Sequence, residues 1–274
     1  MFFDVHHHVV KDVEDMLDED YQYCAVQTTN ESEWDCIVGL KHPRILKGIG
    51  HHPWWVAYRT LNEHNVEAIV DEFDFVGEIG IDKVAIDPMT KKPYDFQEQC
   101  RVFEWMFKTA CRHRKAVSIH CVGAYGYLFD YLASLQCRWS RLSNKKKKET
   151  PLASWNHTKC AFICQESLKI PHIMLHSYSG SLEMIKRFLS LSFGDNIYFS
   201  VSQVVNGRSP KALQSFFHAI PINKWLLESD LSHPDRVVEA MHTIAVTVSI
   251  LLGKSLRDTK TIAIENAKKF YNIS

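Results

Sequence analysis

Phe2-Phe3-Asp4-Val5-His6-His7-His8 opens the chain as a short apolar run that ends in histidines, and four later runs end in the same way. They are Val76-Gly77-Glu78, Ala116-Val117-Ser118-Ile119-His120, Ile173-Met174-Leu175-His176 and Trp225-Leu226-Leu227-Glu228-Ser229-Asp230. Side chains alternate faces along a strand, so His6 and His8 are expected on one face and His7 on the other. Imidazole nitrogens and carboxylate oxygens are the ordinary donors to Zn²⁺, Mn²⁺ and related divalent ions. One such group at the end of each of several strands is how a barrel of parallel strands builds a site at its C-terminal rim.

Working outward, strands are expected over 2–9, 21–29, 45–52, 75–82, 116–122, 172–178, 197–202 and 224–230. Amphipathic helices are expected between them over 95–114, 181–191 and 210–219, with terminal helices over 235–252 and 261–271. Phe96, Cys100, Phe103, Phe107 and Cys111 recur at helical spacing in the first of these. Alternation of strand and helix predicts a parallel α/β sheet, and eight repeats predict closure into a TIM (β/α)8 barrel. The 274 residues suit one such domain over 1–274. An open doubly wound sheet is the alternative, but it offers no reason for five strands to end in ligands around one axis.

One interval departs from the rhythm. About 55 positions separate His120 from His176, against about 30 for an average barrel unit. The excess predicts a surface insertion between strands 5 and 6, over about 137–166, too short to bury a core of its own. It contains Lys145-Lys146-Lys147-Lys148 flanked by Ser, Asn, Glu and Thr. Two readings are open: a solvated or protein-docking segment, favoured by the lack of interleaved aromatics, and a basic arm for a phosphate backbone.

Composition narrows the class. Lys+Arg and Asp+Glu are equal at 32 each, so net charge neither requires nor excludes nucleic acid. Eight scattered cysteines show no paired metal-type spacing and read as reduced thiols. The chain reaches Asp4 and its histidines too early for a secretory leader, and no apolar stretch spans a bilayer. A cytoplasmic or nuclear protein that uses no membrane is expected.

Glu78 has glycines on either side in Val76-Gly77-Glu78-Ile79-Gly80, read as room for backbone to approach a metal. Its two oxygens suit bridging of two ions. His120 and His176 follow apolar runs typical of buried parallel strands, where a lone His would be core but two on neighbouring strands favour ligation. Asp230, at the last strand end, suits both ligation and proton acceptance, so Asp230 and Glu78 are the expected catalytic groups. Asp4 and Asp82 are expected to support ligands or sit as satisfied polar groups, and His172 to lie lower in the core.

With these residues in view the chain resembles the TatD family of metal-dependent hydrolases and deoxyribonucleases, in the amidohydrolase superfamily. The resemblance rests on Asp4-Val5-His6-His7-His8, Gly50-His51-His52-Pro53, Gly77-Glu78-Ile79-Gly80-Ile81-Asp82, Ile119-His120, His176-Ser177-Tyr178-Ser179-Gly180-Ser181, Glu228-Ser229-Asp230 and Glu265-Asn266-Ala267, in family order. It implies a TIM barrel with two divalent ions (Zn, Mg, Mn or Ni). His6, His8, Glu78 and Asp230 would hold one ion, and Glu78, His120 and His176 the other. It also implies that His52 faces substrate while His51 points away.

The chain departs from the family pattern after His120, where Cys121-Val122-Gly123 replaces a segment with Arg. It departs again at Ser229, which stands for Thr, and in the shorter Leu231-Ser232-His233-Pro234-Asp235-Arg236. The expected reaction is hydrolysis of a phosphodiester such as DNA. The alternatives are hydrolysis of a C–N or carboxylic ester bond, or a partner-binding role. Divergent fungal relatives imply a TPR subunit of the anaphase-promoting complex as that partner.

Overall fold

The structure, a computed structural model, describes residues 1–8, 11, 13–17, 21–136 and 170–273. The expected insertion over 137–166, with its lysine run, lies outside the described residues. Eight strands are present: β1 (Phe2–His7), β2 (Tyr21–Val26), β3 (Ile45–His51), β4 (Phe75–Asp82), β5 (Val117–Val122), β6 (Ile173–Leu175), β7 (Ile197–Ser202) and β8 (Trp225–Glu228). Each pairs in parallel with the next, in chain order. The sheet is a nearly closed barrel. At its seam Asp230 N donates to His6 O at 3.0 Å and His8 N to Leu231 O at 2.8 Å. That seam excludes the open sheet.

The described helices are α1 (Glu31–Ile37), α2 (Glu63–Ile69), α3 (Phe96–His113), α4 (Tyr125–Ser134), α5 (Leu182–Leu189), α6 (Pro210–Ala219), α7 (Pro234–Leu252) and α8 (Leu256–Tyr271). Local chemistry sets their starts. Asp95 accepts from the backbone N–H groups of Gln97 and Glu98 at the head of α3. Ser255 does the same for Asp258 N at 3.0 Å, so α8 begins five residues ahead of the expected 261. The short helices α1 and α2 are capped by Asn30 and Asn62; neither is long enough to show a clear apolar period.

Strand starts match expectation to within one residue, but several C-terminal ends fall short. His8, His52, His176 and Asp230 all lie just past their ladders. The backbone leaves the ladder where the side chains must converge: Ser177 has φ 39° and Asp230 φ 56°. Both lie in the left-handed region, which Asp tolerates better than most residues.

The glycines beside Glu78 make room for neighbouring strands. A Cβ on Gly77 would lie 2.5 Å from Gln27 Oε1 and 2.8 Å from Ser118 Cβ, and one on Gly80 would overlap the His120 carbonyl. They let neighbouring strands close in.

Two apolar layers hold the barrel. Val76, Ile79, Val117, Ile119, Ile173, Leu175, Phe199 and Leu227 belong to the large cluster that also takes in the helices. Phe3, Val5, Ala25, Phe75, Met174, Tyr198 and Leu226 form a second cluster with Ala267 and Phe270 of α8. His172 joins this end, its Nδ1 2.8 Å from the Phe270 carbonyl. Cys24, Cys100, Cys111 and Cys121 are buried free thiols and Cys36 is exposed. No single helix among the described residues is long and apolar enough to cross a membrane.

Helix α8 is tied to β8 by one buried amide. Asn266 Nδ2 donates to the carbonyls of Ile222 and Trp225, each at 2.9 Å. Asn266→Ala strands both acceptors and is expected to cost about 1–3 kcal/mol. Urea unfolding checks this as a lower midpoint at unchanged slope; a midpoint equal to that of the parent chain would mean that the tie adds nothing to stability.

Candidate metal centre

Side chains from the ends of β1, β5, β6 and β8 converge around Glu78 of β4. From β4, Glu78 Oε2 lies 3.2 Å from His8 Nε2 and 3.6 Å from His6 Nε2, both at the end of β1. Asp230 Oδ1, beyond β8, lies 3.8 Å from His6 Nε2 and 3.7 Å from His8 Nε2. The other oxygen, Glu78 Oε1, lies 2.7 Å from His176 Nε2 and 2.9 Å from His120 Nδ1. Those two nitrogens are 3.2 Å apart, as are His6 Nε2 and His8 Nε2. All six residues expected to bind metal therefore converge: His6 and His8, with Asp230 beside them, at one oxygen of Glu78, and His120 and His176 at the other.

The far nitrogens of three of these rings are also held. His6 Nδ1 lies 2.9 Å from Ser118 Oγ, His120 Nε2 3.4 Å from Asp82 Oδ2 and His176 Nδ1 3.4 Å from Glu228 Oε1. Such a partner fixes ring orientation and tautomer, leaving the other nitrogen's lone pair for a cation. Glu228 is itself held by Ser177, whose backbone N–H donates at 2.8 Å and hydroxyl at 2.6 Å. Ser177 Oγ in turn meets Ser202 Oγ at 2.7 Å.

His52 behaves differently. Its Nδ1 accepts from Trp54 N at 3.2 Å. Burial pushes its imidazole down to about 4, so the ring is neutral at physiological pH. The remaining proton is then on Nε2, which faces Glu78 Oε1 at 3.5 Å. A nitrogen that carries a proton is a donor. His52 is thus arranged to offer an N–H to whatever occupies the site.

Electrostatics fit a cation. Burial favours the neutral acid at Glu78, yet the imidazoles of His176 and His52 outweigh it and hold the carboxyl well below its usual range. Burial opposes charge on His176, yet Glu78 and Glu228 hold its imidazole well above the usual range. His8 and His120 are raised against burial in the same way, by Glu78 with Asp230 and by Asp82 with Glu78. A buried anion among imidazoles that attract protons is a place where divalent cations replace protons. His6, His8 and Asp230 offer donor atoms within 4.8 Å of one another, as do His52, Glu78 and His120, and as do His6, His176 and Glu228. The tautomer of His52 turns the second set into Glu78, His120 and their neighbour His176.

Asp82 supports His120, as its position suggested. Asp4 does not reach an imidazole. Its Oδ1 accepts from His6 N at 3.2 Å and Ser229 N at 3.0 Å, across the seam between β1 and β8. Burial pushes its carboxyl up to about 7. His51 faces the outer layer, where Arg59, Arg101 and Glu98 are its charged neighbours. Ser118 and Glu228 were not singled out from sequence. A signal was present: each lies two positions before a metal-type residue, His120 or Asp230, and so on the same strand face.

A parallel barrel with imidazoles and carboxylates at its C-terminal rim defines the scaffold class of metal-dependent hydrolases. The chain belongs to the family described as TatD related DNase, which it matches over residues 3–272. It is 29% identical over 222 residues to the Cut9-interacting protein scn1 of Schizosaccharomyces pombe, covering 73% of this chain and 62% of the relative. It is 24% identical over 174 residues to an uncharacterized metal-dependent hydrolase, MG009, of Mycoplasma genitalium, covering 56% and 65%. The chain thus spans less than two thirds of either relative's length. Among solved structures it is similar to the TatD homolog YJJV of Escherichia coli, with TM-score 0.70 at 17% identity over 100% of this chain and 98% of that one. An uncharacterized amidohydrolase of Saccharomyces cerevisiae gives TM-score 0.65 at 15% identity, over 98% and 99%.

The buried His51 yields a pH prediction separate from the metal groups. Burial pushes its imidazole down to about 4, from 6.5 when exposed. Between these values the unfolded chain binds the proton and the folded chain does not. The stability His51 contributes is therefore complete above about pH 6.5 and lost as pH falls toward 4. The advantage of the parent chain over His51→Gln is expected to shrink by about 2 kcal/mol from pH 7.5 to 5. Parallel urea titrations at the two pH values measure it; a constant difference would mean that His51 keeps an ordinary affinity for protons.

Proposed function

We propose that the chain hydrolyses phosphodiester bonds with two divalent cations, as a TatD-type nuclease. The observation that carries this reading is the division of Glu78: one oxygen toward His6 and His8, which Asp230 also faces, the other toward His120 and His176. A carboxylate shared in this way suits two ions about 3.5–4 Å apart, the spacing used for in-line displacement at phosphorus. Bound there, such cations stabilise charge on phosphoryl oxygens and acidify water. The chain's own groups supply the rest. Asp230, at the open edge of the site, accepts the proton of the attacking water. His52 donates from Nε2 to a phosphoryl oxygen. Ser118, Asp82 and Glu228 keep three imidazoles aimed inward.

A second reading, a partner-binding protein, is favoured by two observations. One relative is named for its interaction with Cut9, and the segment after His120 lacks the Arg of the family pattern. A TPR subunit of the anaphase-promoting complex is the partner the family resemblance suggests, and a cytoplasmic or nuclear location accommodates both readings. Complete ligand-type positions favour the enzyme, because a binding scaffold needs no open metal site.

Assays on DNA, RNA and small phosphodiesters, with Zn²⁺, Mn²⁺, Mg²⁺ and Ni²⁺ added back in turn, test the proposal directly; no turnover with any pair would sink it. In that assay Asp230→Asn is expected to lower kcat by at least about 10²-fold, since an amide cannot accept the proton. A near-native kcat would take Asp230 out of the mechanism. Elemental analysis after metal loading is expected to find about two equivalents per chain, from the shared carboxylate. The His120→Ala, His176→Ala double variant should retain about one, and unchanged stoichiometry would refute the ligand assignment.

A further inference from the structure

The loop after β3 carries an indole to the edge of this centre. Trp54 is 47% exposed, yet its ring is fixed. Nε1 donates to Asp82 Oδ2 at 2.9 Å. The ring is roughly perpendicular to His52, with centroids 4.9 Å apart at 84°, and to His120, 6.2 Å apart at 75°. Asp82 also accepts, through Oδ1, from the backbone N–H groups of Val84 at 3.1 Å and Ala85 at 3.0 Å. One carboxylate thus ties the loops after β3 and β4 together, and Tyr58 adds a second tie through its hydroxyl to Asp87. On these tied loops Tyr58, Val84, Ile86 and Met89 are all exposed, Met89 by 79%. Exposed apolar side chains on loops tied to a polar site favour an apolar or aromatic occupant.

What that occupant is follows from where the indole stands. Its neighbours are His120, in one of the two ligand groups, and His52, the N–H donor of the site. Anything resting on the exposed part of the ring shares the site with the reacting group. A ring pinned by a hydrogen bond loses little freedom on stacking, and every nucleobase presents a π-face to it. The segment after His120 offers no Arg, so stacking supplies grip at this edge that charge does not.

We infer that Trp54 is a specificity-determining residue that stacks on the base adjoining the scissile phosphate, so that the chain prefers base-bearing phosphodiesters. This rests on the phosphodiester reading above. The experiment compares kcat/KM for a thymidine dinucleotide with that for the matching abasic phosphodiester, in the parent chain, W54F and W54A. The parent chain is expected to prefer the base-bearing substrate by about 5- to 160-fold, the range that one base–aromatic stack supplies. W54F keeps a ring but loses the contact to Asp82, and most of the preference should survive. W54A should abolish it. Because the readout is a ratio, a general loss of activity from disturbing Asp82 or His120 cancels. A preference retained in W54A overturns this inference and leaves the phosphodiester reading intact. A preference lost equally in W54F and W54A also overturns it, since the hydrogen bond to Asp82 would then be what matters. A parent chain that cleaves neither substrate overturns both.

Discussion

The structure is organised around one buried negative charge. Glu78 is almost inaccessible, and an isolated carboxylate at such a depth would cost several kcal/mol or give up its charge. It keeps the charge because imidazoles from β1, β3, β5 and β6 surround it. Each of those imidazoles is in turn buried or half-buried and needs the carboxylate or another fixed partner. The arrangement is self-consistent only when all of these strand ends are in place, which couples completion of the barrel to completion of the site.

The support for that arrangement extends outward in defined steps. Ser118, Asp82 and Glu228 hold the far nitrogens of His6, His120 and His176, and Ser177 and Ser202 stand behind Glu228. Asp4 accepts from His6 N on its own strand and from Ser229 N just beyond β8, so one carboxylate oxygen bridges the seam at the level of His6 and Asp230. Left-handed backbone at Ser177 and Asp230 turns the chain out of its ladders there. Strain of this kind persists only where surrounding contacts over-determine it, and it gathers where side chains must be aimed.

The rim differs in character from the centre. Around Glu78 the imidazoles and carboxylates face one another as charged or hydrogen-bonding counterparts, whereas the loops after β3 and β4 carry exposed aromatic and aliphatic side chains. The two regions meet at Trp54. Its backbone N–H sets the tautomer of His52, and its indole N–H shares Asp82 with His120. The same residue therefore shapes both the polarity of the site and the surface beside it.

By itself the sequence determined the class of fold and singled out the six side chains that the structure brings together. Eight alternating strand and helix patterns specified the barrel, because a parallel strand needs a crossover and the longer crossovers left their own apolar period. The histidines and carboxylates were legible because such groups are costly to bury at the ends of apolar runs unless they share a ligand, and here they recur on five strands. Tertiary structure alone decided the rest. The glycines beside Glu78 serve strands that are distant in sequence, and Asp4 serves the seam; both depend on which atoms come close, which local pattern does not encode. The division of Glu78 between two groups, the supports at Ser118 and Glu228, and the donor state of His52 are set by distances between separate strands and loops. A periodicity states which face a side chain takes. Only the closed barrel states what stands opposite it.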